Sequence, residues 1–312
     1  MTQDTIYDLI IIGAGPAGIE ASIQSKKAGL NALHLDKDRA GETIARTMMD
    51  KLFLHVYGRN TGKLLGNLAF PDRAKGSELI KLWDDELKGL PYIAPCNVTR
   101  AAKDGDIFKL QSSCGELMSK KLLLSFGIFD HPQKLGVPGE DKNPKVKHEF
   151  SYLDDYYKQN IMVVGGGNSA LETTIKLAPD NDITLVVRKD CFAETATPKN
   201  LKNLDDLVKA GNVKILYQSN VLEIKENEVI VNEKGNATPH KCDVVFIHVG
   251  YQKPTNFLKN AGVALNADDK PIINENFETN VAGLFVVGSL AGADSIVESA
   301  NQAFVALQKI KS

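Results

Sequence analysis

Apolar residues run unbroken through Leu9-Ile10-Ile11-Ile12 and again through Ile161-Met162-Val163-Val164, and each run stops at a glycine. Short continuous apolar runs bounded by turn residues predict fully buried strands, because half-exposed strands would alternate with period two. Beyond each turn the apolar spacing becomes helical, to about Ala28 in the first case and Ala178 in the second. A further apolar run follows each helix, at Leu30–Leu35 and at Ile183–Val187. The chain thus writes a strand–helix–strand opening twice. Between the two openings the pattern predicts strands at Ile107–Leu110 and Leu122–Ser125 and a helix over Ser77–Leu87. After the second come strands at Val213–Tyr217, Val221–Ile224, Glu228–Val231, Val244–Val249 and Gly283–Gly288, then a helix from Ser295 to Ile310. The Gly- and Pro-rich segment Leu135–Asp141 reads as a linker.

Each turn carries chemistry. Gly13, Gly15 and Gly18 follow G-x-G-x-x-G spacing, with Pro16 and Ala17 inside it. The first glycine permits a tight turn, the second lets backbone approach a pyrophosphate, and the third lets helix and strand pack closely. The anion then rests on a helix N-terminus, where free N–H groups and the dipole favour it. Asp36 ends the next strand, where a carboxylate can accept both ribose hydroxyls. A glycine turn without ligand is the bland alternative, and the flanking strand and helix together with Asp36 outweigh it. The second turn, Gly165, Gly167, Asn168, Ser169 and Ala170, is G-x-G-x-x-A, and its second strand ends in Arg188 and Lys189 with no acid. A guanidinium can grip a 2′-phosphate in two places where a carboxylate would repel it. The expectation is a nicotinamide dinucleotide, NADPH rather than NADH; the alternative is a solvated strand end.

Composition narrows the partners. The 312 residues are 43% hydrophobic and 24% charged, and 37 basic against 39 acidic residues leave a net charge of -2. That balance argues against nucleic acid or a membrane surface recognised through bulk charge. No apolar run reaches the ~20 residues that span a bilayer, and the polar start Met1–Asp8 has no signal-peptide character, so a cytoplasmic protein is expected. Cys96, Cys114, Cys191 and Cys242 are too far apart for a C-x-x-C pair and read as small buried hydrophobes. No spacing of His, Cys or acids suggests a metal site.

Taken in order, these motifs resemble the thioredoxin reductase-like flavoproteins: the first glycine turn, Val137-Pro138-Gly139-Glu140, the Gly165–Ala170 turn, Arg188, and the terminal strand and helix. The resemblance implies an α/β fold of two Rossmann-type dinucleotide-binding domains. An NAD(P)H domain at 131–253 is inserted into an FAD domain made of 1–130 and 254–312. It implies further FAD contacts at Gly127, Gly288, Ser289, Ser295 and Ile296, a nicotinamide-side contact at Gly250, hydride transfer from nicotinamide to flavin, and a homodimer. Leu135–Asp141 and Gly250–Pro254 would be hinges between two catalytic arrangements. The family usually carries Asp where Ser289 stands, and a further Arg where Ala193 stands.

Two departures matter. Thioredoxin reductases carry C-x-x-C shortly before the second glycine turn, and His148 and Ser151 occupy those places here. The bacillithiol-disulfide reductase-like branch is nearer, through Gly127-Ile128-Phe129-Asp130, Val146–Phe150 and Gly250–Pro254. Its flavin-side cysteine, however, is Ala17. The electron acceptor is left open: a small disulfide, free flavin or quinone, or a protein partner such as ferredoxin or flavodoxin. A low-turnover flavin-binding sensor is the reading from another class. His148 is a candidate acid–base group, or else a hinge histidine. His55 and Tyr57, in the alternating stretch Leu52–Tyr57, lie near the flavin or pack the core.

Overall fold

Two units organise the structure, a computed structural model that describes residues 5–55, 62–151 and 156–311. Unit one comprises Met1–Asp130 with Lys253–Ser312, and unit two runs from His131 to Gln252. The first segment carries β1 (Ile6–Ile12), α1 (Pro16–Lys27), β2 (Ala32–Leu35), α2 (Glu42–Thr47), β3 (Leu52–Leu54), β4 (Arg73–Lys75), α3 (Gly76–Leu87), β5 (Tyr92–Ile93), β6 (Val98–Asp104), β7 (Ile107–Ser112) and β8 (Gly115–Leu124). Unit two follows with β9 (Val146–Lys147), β10 (Asn160–Val164), α4 (Asn168–Leu177), β11 (Asp182–Val187), α5 (Pro198–Lys209), β12 (Val213–Tyr217), β13 (Ser219–Ile224), β14 (Glu228–Glu233), β15 (Asn236–Lys241) and β16 (Val244–Ile247). Unit one resumes with α6 (Thr255–Asn260), β17 (Leu284–Val286), a 3-10 turn (Gly288–Ala291) and α7 (Ile296–Ile310).

In unit one the parallel strands lie in the order β5-β2-β1-β8, with β17 beside the end of β8. An antiparallel extension of β7 and β6 leaves from the start of β8. In unit two β12-β11-β10-β16-β9 are all parallel, and β13-β14-β15 form a separate antiparallel sheet. Both parallel sheets reverse their strand order beside the first strand, β1 or β10. In open α/β sheets that switch point is where the crevice for a ligand opens, at the C-terminal ends of the strands.

The unbroken apolar runs are explained by burial on both faces. Ile10 and Ile12 enter one core with Leu33, Leu35, Leu122 and Leu124. Leu9 and Ile11 point the other way, into a core with Ala17, Ala21, Leu123, Ala303 and Ala306. In unit two Ile161 and Val163 join one cluster, Met162 and Val164 another. Each such buried side chain contributes about 1.5–3 kcal/mol relative to exposure. The alanines of α1 and α7 let the two helices approach closely, which carries the closing helix to the first glycine turn.

Several expectations shift. β8 begins at Gly115, well before the expected Leu122, because its first half pairs with β7 and keeps Glu116 and Lys120 in solvent. The predicted linker is a closed loop: the buried Glu140 carboxylate accepts N–H groups of Leu135 at 3.0 Å and Gly136 at 2.7 Å. The two chain crossings are tied to each other, since Gln133 N–H donates to Gly250 and Gln252 N–H to His131. In the Leu52–Tyr57 stretch Phe53 packs inward while Leu52 and Leu54 are exposed; Tyr57 lies outside the described residues. Cys96 and Cys242 are buried as expected, but Cys114 is half-buried in a turn and Cys191 is exposed in a polar loop.

Candidate functional site

The turn after β1 is built by three glycines with three different constraints. Gly13 has φ +106°, and a methyl there would fall 2.5 Å from the Phe126 backbone. A methyl on Gly18 would fall 1.8 Å from the Gly13 carbonyl oxygen, whereas one on Gly15 would meet nothing within 4 Å. So the turn is closed on its protein side and open in front of Gly15. Gly15 precedes α1 with no side-chain cap, and Pro16 supplies the first helical residue. The N–H groups of Ala17 and Gly18 thus head an uncapped helix.

Two residues that the motif does not name fix this turn. The Ser125 hydroxyl lies 2.8 Å from the Gly13 carbonyl, and His34 Nε2 lies 3.0 Å from the same oxygen. Burial pushes His34 down to about 4, against the Gly13 hydrogen bond that favours its charge. The ring is therefore neutral near pH 7, with Nε2–H donating. Asp36 closes the site from β2: its carboxylate accepts N–H groups of Ala14 at 2.6 Å and Asp38 at 2.8 Å. Burial raises its pKa, and those two N–H groups oppose the rise. Gly127 and Gly288 both have positive φ; a methyl on the first would approach Ser289 Oγ at 3.3 Å and on the second Ala17 Cβ at 3.4 Å. Gly288 N–H donates to Gln302 of α7 at 2.8 Å. Unit one thereby brings Gly127, Gly288 and Ser289 beside the Gly13–Gly18 turn, whose open side is at Gly15. At the head of α7, Ser295 Oγ accepts the Glu298 N–H at 3.1 Å, leaving the N–H groups of Ile296 and Val297 uncapped by it.

Unit two repeats the geometry. A methyl on Gly165, φ +143°, would fall 2.3 Å from the His248 carbonyl oxygen, and one on Gly167 would meet nothing within 4 Å. Ala170 is fully buried, and α4 starts after Gly167 with no side-chain cap. The Asn168 side chain holds the following loop instead. Its amide donates to Thr195 at 2.7 Å and its oxygen accepts the Thr197 N–H at 2.9 Å. Ala193 N–H donates to Gly166, bringing the loop after Lys189 against the turn. Arg188 and Lys189 are exposed, and their side chains make no ion pair among the described residues. Gly250 has φ +105° just beyond β16.

The remaining candidates fall elsewhere. His148 Nε2 lies 3.7 Å from Glu140 Oε1 within unit two. Near it His248, which the sequence did not single out, is pushed down to about 4 by burial and then by the His148 charge, and its Nε2 lies 3.0 Å from Thr173 Oγ1. His55 is occupied structurally, bonded to the Phe70 carbonyl at 3.0 Å and stacked on its ring. A recess of about 190 Å³ lined by Asn160, Asp182, Gly211 and Lys214 sits where β10 and β11 begin, the wrong end of the strands for a dinucleotide. Among the described residues no group of three or more His, Cys, Asp or Glu could hold a metal ion, and no helix is long and apolar enough to cross a membrane.

Known proteins share this architecture. A family model described as pyridine nucleotide-disulphide oxidoreductase matches residues 10–288. The bacilliredoxin reductase Bdr of Bacillus subtilis (strain 168) is 29% identical over 308 residues, covering 95% of this chain and 92% of that protein. A ferredoxin–NADP reductase of Ignicoccus hospitalis is 26% identical over 311 residues, covering 96% of this chain and 95% of its own. The solved bacillithiol disulfide reductase Bdr from Bacillus cereus has the same fold, with a TM-score of 0.88 at 23% identity over 98% of this chain and 99% of that one.

Proposed function

The chain belongs to the pyridine nucleotide-disulphide oxidoreductase family, and on that premise we propose that it is an NADPH-dependent FAD reductase that passes electrons to a small acceptor without using a cysteine. The observation that carries this reading is the paired cradle: each unit has a glycine turn closed behind and open in front, at the head of an uncapped helix. In unit one the open face fits a pyrophosphate on the N–H groups of Ala17 and Gly18, with Asp36 at the ribose. Gly127, Gly288, Ser289, Ser295 and Ile296 complete that site. In unit two the N–H groups of Asn168, Ser169 and Ala170 take the second pyrophosphate, Arg188 and Lys189 hold the 2′-phosphate, and Gly250 borders the nicotinamide half. When bound, NADPH supplies the hydride and FAD the ring that accepts it. The protein's own part is position: small residues clear the approach, and backbone N–H groups hold the phosphates.

The relative named as a bacilliredoxin reductase supports a disulfide as first acceptor, and free flavin and quinone stand beside it only as expectations from the sequence. The relative named as a ferredoxin–NADP reductase supports a small redox protein as second reading. A low-turnover sensor has no comparable support. His148 is retained as acid–base candidate, and the homodimer as the assembly implied by the resemblance. The test is direct. The purified protein should be yellow with about one FAD per chain, bleach when mixed with NADPH, and recover colour with one class of oxidant. A colourless protein that cannot be reconstituted with FAD would sink the proposal.

A further inference from the structure

We propose that Cys96 and Cys114, which belong to neither glycine turn, form a reversible intramolecular disulfide that locks the backbone beside Asp36. Cys96 lies between β5 and β6, and Cys114 lies in the two-residue turn between β7 and β8. The β6–β7 pairing ends at Val98 and Ser112, but the chains stay together past it. Ser113 N–H donates to the Asn97 carbonyl at 2.9 Å, and Asn97 N–H donates to Ser113 Oγ at 2.9 Å. Both cysteines then meet at Ser112: the Cys96 thiol is 3.6 Å from Ser112 Oγ, and Cys114 N–H donates to the same oxygen at 3.2 Å. Cys114 Sγ is 3.7 Å from the Pro95 carbonyl, next to Cys96, and continuing the Val98–Ser112 and Asn97–Ser113 pairing by one residue sets Cys96 opposite Cys114. A bridge across such a pair needs side-chain rotation and little backbone movement.

Exposure sets the order of events. Cys96 is 1% exposed whereas Cys114 reaches solvent, so Cys114 meets the oxidant first. With hydrogen peroxide, the Cys114 thiolate takes one oxygen to become a sulfenic acid and the other leaves as hydroxide, which a proton converts to water. Cys96 sulfur then attacks Cys114 sulfur, forming S–S and releasing the second water; two thiols lose two electrons to the peroxide O–O bond. The Cys96 side chain, and burial after it, hold the Cys114 thiol above its ordinary pKa. Bridging should therefore be slow at neutral pH and accelerate as pH rises. The consequence runs through backbone. Cys96 N–H donates to the Asp36 carbonyl at 2.6 Å, and Asp36 N–H to Ile93 at 3.2 Å. Resting on the reading that Asp36 holds the FAD ribose, the bridge should stiffen that end and slow FAD release by about threefold or more.

The experiment treats the purified protein with hydrogen peroxide at neutral pH and at about pH 9, followed by non-reducing peptide mapping and by FAD release after dilution. The expected result is a Cys96–Cys114 linked peptide, two hydrogens lighter, formed faster at the higher pH and reversed by dithiothreitol. It should vanish in Cys96→Ser and in Cys114→Ser and persist in Cys191→Ser. Over-oxidation of Cys114, or its pairing with Cys191, with Cys96 left as a free thiol would overturn the proposal. A linked peptide with unchanged FAD release would overturn the coupling to Asp36. A protein that binds no FAD would overturn the cofactor reading instead, and the mapping would still decide the disulfide.

Discussion

The turn after β1 and the turn after β10 solve one steric problem twice and differ in everything around it. Both leave their middle glycine facing open space while a neighbouring glycine abuts protein backbone. The first is clamped by His34 and Ser125 at the Gly13 carbonyl, the second by Asn168 through the loop to Thr197. The first strand pair ends in Asp36, whose oxygens already accept two N–H groups; the second ends in Arg188 and Lys189, which have no ion partner among the described residues. On the proposed reading, glycine spacing encodes room for a pyrophosphate, and the charge at the strand end would decide which dinucleotide fills it.

The largest expected effect is steric. Gly18→Ala places a methyl 1.8 Å from a backbone oxygen, and Gly165→Ala one 2.3 Å from another. Each should cost about 3 kcal/mol or more, read as a fall in Tm. Stability within about 1 kcal/mol of wild type in either variant would show that the closed side of that turn is misread.

Next is pH. His34 in unit one and His248 in unit two are both pushed from 6.5 down to about 4, chiefly by burial. The unfolded chain binds protons on these rings more readily than the folded one. Their contribution is therefore present above pH 6.5 and lost as pH falls through about 4, up to about 3 kcal/mol per site. Glu86, raised to about 7 by burial, acts oppositely, stabilising at low pH and losing that as pH rises through about 7. Denaturant unfolding at pH 7 and pH 5 should show a shallower acid loss in His34→Asn and His248→Asn than in wild type; parallel curves would contradict the assignment.

A smaller effect sharpens the contrast at the strand ends. A charge-assisted contact to the 2′-phosphate contributes roughly 1.5–3 kcal/mol, a preference of about 10- to 100-fold for NADPH over NADH. Arg188→Ala should remove most of it through KM. Equal use of both nucleotides by the wild type would mean that Arg188 and Lys189 are solvated ends. The smallest expected effect is none: replacing all four cysteines with Ser should leave reduction by NADPH and reoxidation by quinone within about twofold of wild type. Loss of reoxidation alone would identify a cysteine as an electron carrier.

The sequence showed the repeated strand–turn–helix because burial on both faces leaves a continuous apolar run, and because glycine spacing is local. Charged and polar strands were harder. β6, Val98–Asp104, and β15, Asn236–Lys241, carry polar residues on a solvated side and have no such run. Helix α5 was missed although Thr197 caps it by accepting the Asn200 N–H at 3.3 Å. The buried polar groups could not be foreseen. Glu20 looks like a surface residue of α1, yet it is fully buried and accepts N–H groups of Asn67 at 2.8 Å and Leu68 at 2.6 Å, far away in sequence. His34 and His248 are of the same kind, bonded to Gly13 and Thr173 far away in sequence, and no spacing announces them.

On the proposed reading the two open cradles hold different dinucleotides, and electrons pass from one to the other. Two variants that fill one cradle each, Gly15→Val and Gly167→Val, test this most directly when assayed for bound flavin and for NADPH-driven bleaching. Gly15→Val should be folded and colourless, since its side chain occupies the space of the first pyrophosphate. Gly167→Val should be yellow, with about one FAD per chain, yet bleach at least 100-fold more slowly at low NADPH. A yellow Gly15→Val protein, or a Gly167→Val protein that bleaches at the wild-type rate, would contradict the account.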